Sequence, residues 1–285
     1  VISRFSLVYE KIKKFTDSSL ITKDWEGWNN GIRSELPGAN DYNYIKVPSI
    51  LGTMYGSPEI IMYDVAPLLA ELLQAMGNDE EVRRQLYPTG SGGADEVMFD
   101  DTLTTPDLVN KAYQWLRFVY KENIPVEKIK TIVEFGGGYG AQALLINRLL
   151  PGITYIDIDT PTVCAVAYQY LSDSLLKPVH VVTGLDDIVE GTVNLVPHGL
   201  MDAVPSADIF ISQGALCECP DTVIDAVAAR EFFSAKNGMM ILWEHPHLIE
   251  KLFELYKYTI EPFTPWKGQH HVYFSRRRRR KAAAQ

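Results

Sequence analysis

From Thr131 onward, short apolar runs alternate with longer stretches whose apolar residues recur at helical spacing. The runs predict strands near 131–135, 153–158, 179–183, 208–212 and 239–243. The stretches between predict helices near 141–150, 161–173, 221–234 and 246–256. Such alternation is the pattern of a doubly wound α/β sheet. It changes at the end. Tyr258–Phe263 and His270–Ser275 are joined by Thr-Pro-Trp-Lys-Gly, too short a link for a parallel crossover. They predict an antiparallel hairpin at the sheet edge.

The first 104 residues lack the alternation. Leu7–Phe15 reads as a short helix. Trp25–Gly31, Pro37–Gly38 and Tyr42–Pro48 read as loops rich in aromatics. Ser57-Pro58-Glu59 opens a helix through Val65, Leu68, Leu69, Leu72, Leu73 and Met76, with Pro67 as a kink or restart, ending at Gly77-Asn78. A short helix follows near Asp79–Leu86, then a joint or lid at Thr89–Ala94. Thr105-Pro106-Asp107 is a strong helix start, and the helix over roughly 106–122 has the apolar face Leu108, Val109, Ala112, Trp115, Leu116, Val119. The expected organisation is a mostly helical cap over 1–104, an α/β domain over 105–275 and a basic tail over 276–285.

The chain is organised around Thr131–Gly140, TIVEFGGGYG. An apolar strand stops at three glycines and a helix follows. Such a loop lets a ligand approach the backbone and aims a helix N-terminus at it. The spacing fits two cofactor classes. Gly136-x-Gly138-x-x-Ala141 fits the dinucleotide fingerprint. Glu134-x-Gly136-x-Gly138-x-Gly140, with Gly137 between, fits the loop of S-adenosylmethionine-dependent methyltransferases. Glu134 separates them, because a carboxylate repels a pyrophosphate and suits a sulfonium and an α-ammonium. The terminal hairpin is the second feature against a dehydrogenase.

Composition narrows the partners. The 285 residues carry a formal charge of −9, and Arg276–Lys281 are all cationic, so the body is more acidic still. An acidic body argues against nucleic acid as a substrate. The basic run reads as a solvated end, with a tether to an anionic surface as the other reading. Three cysteines, Cys164, Cys217 and Cys219, make no disulfide framework and are expected as reduced thiols in the cytoplasm. No apolar run is long enough to span a bilayer. A homodimer is compatible with everything above.

Polar residues cluster where the predicted strands end. In Tyr155-Ile-Asp157-Ile-Asp159-Thr-Pro161, either acid suits ribose hydroxyls, and Asp159 is preferred because it ends the strand. In Thr183-Gly-Leu185-Asp186, Leu185 suits the face of adenine and Asp186 its amino group. Ser212-Gln213-Gly-Ala-Leu-Cys-Glu218-Cys-Pro220 is expected to face the methionine part of the cofactor. Two residues are candidate bases, His245 first and Glu218 second. His245 and His247 with Glu244 make a poor metal pattern, so no metal is expected. His270 and His271 alternate faces, and structural roles are expected for them.

From about Ser57 to Phe274 the chain resembles the sugar O-methyltransferases, a branch of the class I S-adenosylmethionine-dependent enzymes. The resemblance lies in Val133–Gly140, in Tyr155–Pro161 and in Ser212–Pro220 with its Ala-Leu-x-Glu core. It implies a Rossmann-like seven-stranded sheet and cofactor binding through Glu134, Gly136, Gly138 and the strand-2 acid. It also implies methylation of a sugar or glycan hydroxyl. The aromatics Trp25, Trp28, Tyr42, Tyr44 and Tyr55 suit a cap that excludes water and packs on sugar C–H surfaces. Other readings are methylation of a phenol or amine, a nicotinamide-dependent oxidoreductase, and a cofactor-binding protein without turnover.

Overall fold

The computed structural model describes residues 4–39, 43–54, 57–77, 79–243, 245–262 and 268–276. Ahead of the glycine loop lie helices α1 (Arg4–Ile12), α2 (Lys23–Glu35), α3 (Pro48–Met54), α4 (Pro58–Ile60), α5 (Ala66–Met76) and α6 (Asp79–Gln85). A hairpin of β1 (Val97–Phe99) and β2 (Thr102–Thr104) and helix α7 (Pro106–Lys121) follow. The segment Trp25–Gly31, expected as a loop, is helical instead. Thr22 caps α2 by accepting from the Trp25 amide at 3.2 Å. Its glycines weaken helix propensity, but packing overrides them. Asn29 and Ile32 are buried, and a Cβ on Gly31 would stand 2.2 Å from Ser49 Oγ. A π turn at Ile61–Val65 joins α4 to α5. It lies just before Pro67, which lacks the N–H a regular helix would use there.

The α/β half runs β3 (Thr131–Phe135), α8 (Ala141–Leu149), β4 (Thr154–Asp159), α9 (Pro161–Ser174), β5 (Val179–Val181) and β6 (Val193–Pro197). It continues with β7 (Ile209–Gln213), α10 (Asp221–Ala228), β8 (Asn237–Trp243), α11 (Pro246–Leu255), β9 (Tyr256–Pro262) and β10 (Gln269–Arg276). The sheet order is β5-β6-β4-β3-β7-β8-β10-β9. β3 to β8 run parallel, and β10 is antiparallel to both β8 and β9. This is the expected Rossmann-like α/β sheet with its antiparallel end, but with eight strands where seven were expected. The added strand is β6. Its polar Asn194 and terminal Pro197 disguise it in the sequence. Asn194 is fully buried, and its side chain accepts from the Val189 amide at 2.8 Å and donates to the Val189 carbonyl at 2.9 Å.

Alternate residues of each strand enter two cores. On one face Ile132, Tyr155, Leu195, Ile211 and Tyr273 pack with α7, α8 and α9, and with α1 and α5 outside them. On the other, Val133, Ile156, Phe210, Met240 and Phe274 pack with α10 and α11. Among the described residues no helix is long and apolar enough to cross a membrane. The order reverses at β3, which lies between β4 and β7, and that opens a crevice at its carboxyl end. The glycine loop sits there. Tyr42, Tyr55, Glu244 and the tail beyond Arg276 lie outside the described residues.

Gly238, in the middle of the sheet, tests the packing. A Cβ there would stand 2.1 Å from Phe274 Cζ and 2.6 Å from the Phe210 carbonyl oxygen. Gly238→Ala is expected to cost about 1–3 kcal/mol in urea denaturation. An unchanged midpoint would contradict this packing.

Candidate active site

The loop between β3 and α8 needs its glycines for two different reasons. Gly136 has φ +82°, and a Cβ on it would stand 2.0 Å from the Ala215 Cβ. A Cβ on Gly137 would lie 2.4 Å from both carboxylate oxygens of Asp157. The second contact shows what the loop holds. Gly137 N–H donates to Asp157 Oδ1 at 3.0 Å, and Gly138 N–H donates to Asp159 Oδ2 at 3.2 Å. Asp159 Oδ1 also accepts from the Thr160 amide at 2.7 Å. The amides that a phosphate would use are taken by the protein's own carboxylates.

Glu134 stands beside Asp157 in the register of β3 and β4, and its Oε2 accepts from Tyr155 O–H at 2.6 Å. Burial raises all three acids. Asp157 lies well above its ordinary value, Asp159 reaches about 7, and Glu134 rises with Lys111 opposing. Asp107 on α7 is likewise raised by burial, opposed by Lys111 and by the O–H of Tyr139. Lys111 Nζ donates to Gln213 Oε1 at 2.6 Å, and Gln213 Nε2 donates to Gln142 Oε1 at 2.9 Å.

These groups surround a cavity of about 280 Å³ at the carboxyl ends of β3, β4, β7 and β8. Among its walls are Gly136, Gly137, Gly138, Asp159, Gln213 and Glu218. The structure brings these six expected residues together. Glu134, Asp157, Gly140 and Ser212 stand behind the wall and shape it. Ser212 Oγ donates to the Phe135 carbonyl and accepts from the Leu216 amide, both at 3.1 Å, and so ties the end of β7 to the end of β3.

Three expected residues are elsewhere. Leu185 and Asp186 line a cleft at the opposite end of the sheet, with Lys130 and Thr131. The physical reason is β6, because the chain after β5 turns back to begin another strand. The residue that meets the cavity there is His198, which follows β6. His245 does not line the cavity. Its Nδ1 accepts from the Leu248 amide at 3.4 Å and caps α11. His271 is buried against Tyr273 O–H at 2.8 Å and is driven down to about 3 by burial. Of the cap aromatics, Trp25 is in the wall. Trp28 is 40% exposed, and Tyr44 is buried in the core against Ser91.

Sequence reasoning missed the polar stripe of α7. Asp107, Asn110, Lys111 and Gln114 recur at helical spacing and all line the cavity. A polar face on a helix whose other face is core was the signal available.

An acid-lined site whose loop amides are already used fits S-adenosylmethionine, which is cationic and carries no phosphate. Residues 68–221 match the family profile described as an O-methyltransferase domain. The chain belongs to that family, and its cofactor is S-adenosylmethionine. No curated protein matches it. Among solved structures it is similar to human N-acetylserotonin methyltransferase in complex with SAM, at 16% identity over 97% of this chain and 72% of that one, TM-score 0.38. It is also similar to magnesium protoporphyrin IX methyltransferase from Synechocystis PCC 6803 with bound SAH, at 12% over 75% and 100%, TM-score 0.41. The mitomycin 7-O-methyltransferase MmcR is 14% identical over 96% and 69%, TM-score 0.38. Overlaps of this quality carry nothing about the acceptor.

The raised carboxyls predict a pH dependence. A group raised on folding lends stability below its unfolded value and loses it as pH rises through the folded one. For Asp159 that window runs from its ordinary 3.8 to about 7. Thermal midpoints of the ligand-free protein are expected to fall between about pH 4 and pH 7, and Asp159→Asn to shrink the fall. A midpoint with the same pH dependence in the variant would contradict this.

Proposed function

We propose that this protein transfers the methyl group of S-adenosylmethionine to a hydroxyl of a sugar or glycan, with Glu218 as the general base. The observation that carries the reading is the Glu218 carboxylate, which lines the cavity, stays exposed to an incoming acceptor, and is raised above its ordinary value by the desolvation of its surroundings. A sugar hydroxyl is a poor nucleophile, so its proton must leave as the new bond forms. A raised carboxylate is the better proton acceptor. His245, engaged as a helix cap, is the weaker candidate.

The cofactor supplies a methyl group on a sulfonium. Gly136 and Gly138 would let it approach the backbone, Asp159 would accept from its ribose hydroxyls, and Glu134 and Asp157, raised by burial beneath the loop, would be relieved toward their ionised forms by its positive charge. Asn110, Lys111, Gln114 and Gln269 give the cavity a polar acceptor side, and Trp25 and Trp243 add aromatic surface. Hydrogen-bonding side chains beside aromatic faces favour a polyhydroxylated acceptor over a phenol or an amine. The occupied loop amides speak against a nicotinamide dinucleotide.

Transfer of tritiated methyl from S-adenosylmethionine to monosaccharides and oligosaccharides, beside phenols and amines, tests this reading. Label is expected in a sugar, and Glu218→Gln is expected to lower kcat about 10²–10⁴-fold with cofactor affinity kept. Label only in phenols or amines would overturn the acceptor. Full activity of Glu218→Gln would overturn the base. Turnover on no acceptor would favour a protein that binds the cofactor without catalysis. His245→Ala is expected to cost about 0.5–2 kcal/mol of stability as a lost cap and to leave kcat near wild type.

A further inference from the structure

A segment far away in sequence completes the wall that holds Glu218. The turn Ser18–Leu20 and the start of α2 bring Leu20, Ile21, Thr22 and Trp25 to the cavity. Two anchors hold this segment. His198 Nε2 lies 3.1 Å from the Asp17 amide and 2.9 Å from the Asp17 carbonyl oxygen. Thr160 Oγ1 donates to Asn29 Oδ1 at 2.9 Å. The fit beside His198 is close, since a Cβ on Gly199 would stand 2.2 Å from the Phe15 carbonyl oxygen. Between the anchors, Trp25 Nε1–H donates to Glu218 Oε2 at 3.2 Å, across 193 residues of sequence.

We propose that Trp25 is the positioning residue for Glu218, its indole N–H fixing one carboxylate oxygen so that the other is presented to the acceptor hydroxyl. The proposal rests on Glu218 being the base. A carboxylate on a short turn rotates freely unless a donor holds it, and a misplaced base loses most of its effect. An indole is suited to the task because it donates and cannot accept, so it never competes for the acceptor's proton. It also favours the ionised carboxylate against burial. The base is therefore complete only while the N-terminal segment is seated.

Other titrating groups stand near. The thiols of Cys217 and Cys219 are pushed up to about 11 and about 12 by burial and stay neutral. Asp159, Asp107, Lys111 and His198 face the same cavity from other walls, and Asp159 titrates near 7. A control without the Glu218 carboxylate is therefore needed.

The test is indole ¹⁵N–¹H resonance of the full chain with S-adenosylhomocysteine bound, followed against pH. The chain has five tryptophans, and Trp25 is assigned by the signal lost in Trp25→Phe. That signal is expected to shift as Glu218 protonates, and the shift to vanish in Glu218→Gln. The Glu218 carboxyl band in infrared difference spectra against Glu218→Gln is expected to titrate at higher pH in Trp25→Phe. The four remaining indole signals report that this variant is folded; should it not fold, the wild-type and Glu218→Gln titrations decide alone. A Trp25 signal indifferent to pH, or one that titrates unchanged in Glu218→Gln, overturns the proposal. Full turnover by Glu218→Gln, with the indole still titrating in the wild type, would instead remove the base assignment beneath it.

Discussion

The site depends on a hydrogen-bonding constraint between two adjacent strands. Asp157 and Asp159 end β4, and their carboxylates take the amides of Gly137 and Gly138 in the loop that ends β3. This one arrangement explains why position 137 must be glycine, why the loop stays open, and why it does not act as a phosphate cradle. It also places negative charge in a poorly solvated region. Isolated buried charge is costly, and burial answers by raising the carboxyls until protonation or a counter-charge relieves them. Lys111 relieves Glu134 and Asp107 in part. A cationic ligand completes the relief.

The rest of the fold turns this end of the sheet into a half-open cavity. The reversal of strand order at β3 provides the crevice. α7 crosses one side with its polar stripe facing inward, and the N-terminal segment closes another through Asp17, Trp25 and Asn29. Bonds between distant segments therefore hold the groups of the cavity wall: Trp25 to Glu218, Lys111 to Gln213, Asn29 to Thr160. Groups fixed before the ligand arrives need little reorganisation in the transition state, which is where such electrostatic arrangements act.

The glycine loop, the two β4 acids and the antiparallel edge were legible because each depends on local chemistry. A glycine run after an apolar strand, acids at a strand end and a link too short for a crossover carry their meaning within a few residues. β6 was not legible, because Asn194 breaks its apolar run and is satisfied only by a loop that folds back onto it. Without β6 the segment after β5 reads as ending at the cavity, so Leu185 and Asp186 are expected there, whereas they line the opposite end of the sheet and His198, after β6, meets the cavity. The helical Trp25–Gly31 segment of α2 is not legible from sequence, because its glycines weigh against a helix and the packing that overrides them involves the distant Ser49. His245 looked like a base because a histidine past a strand end is chemically suggestive, yet the same position starts a helix and the cap takes its ring. Lys111 and its neighbours needed only the opposite face of a helix whose apolar face was plain.

The central claim is that this crevice selects a phosphate-free cofactor because its own carboxylates occupy the loop amides. Calorimetric titration of the full chain with S-adenosylhomocysteine beside NAD tests it most directly. S-adenosylhomocysteine is expected to bind in the micromolar range and NAD to give no binding heat. Tight binding of NAD without S-adenosylhomocysteine would contradict the claim, because the loop amides would then be holding a pyrophosphate.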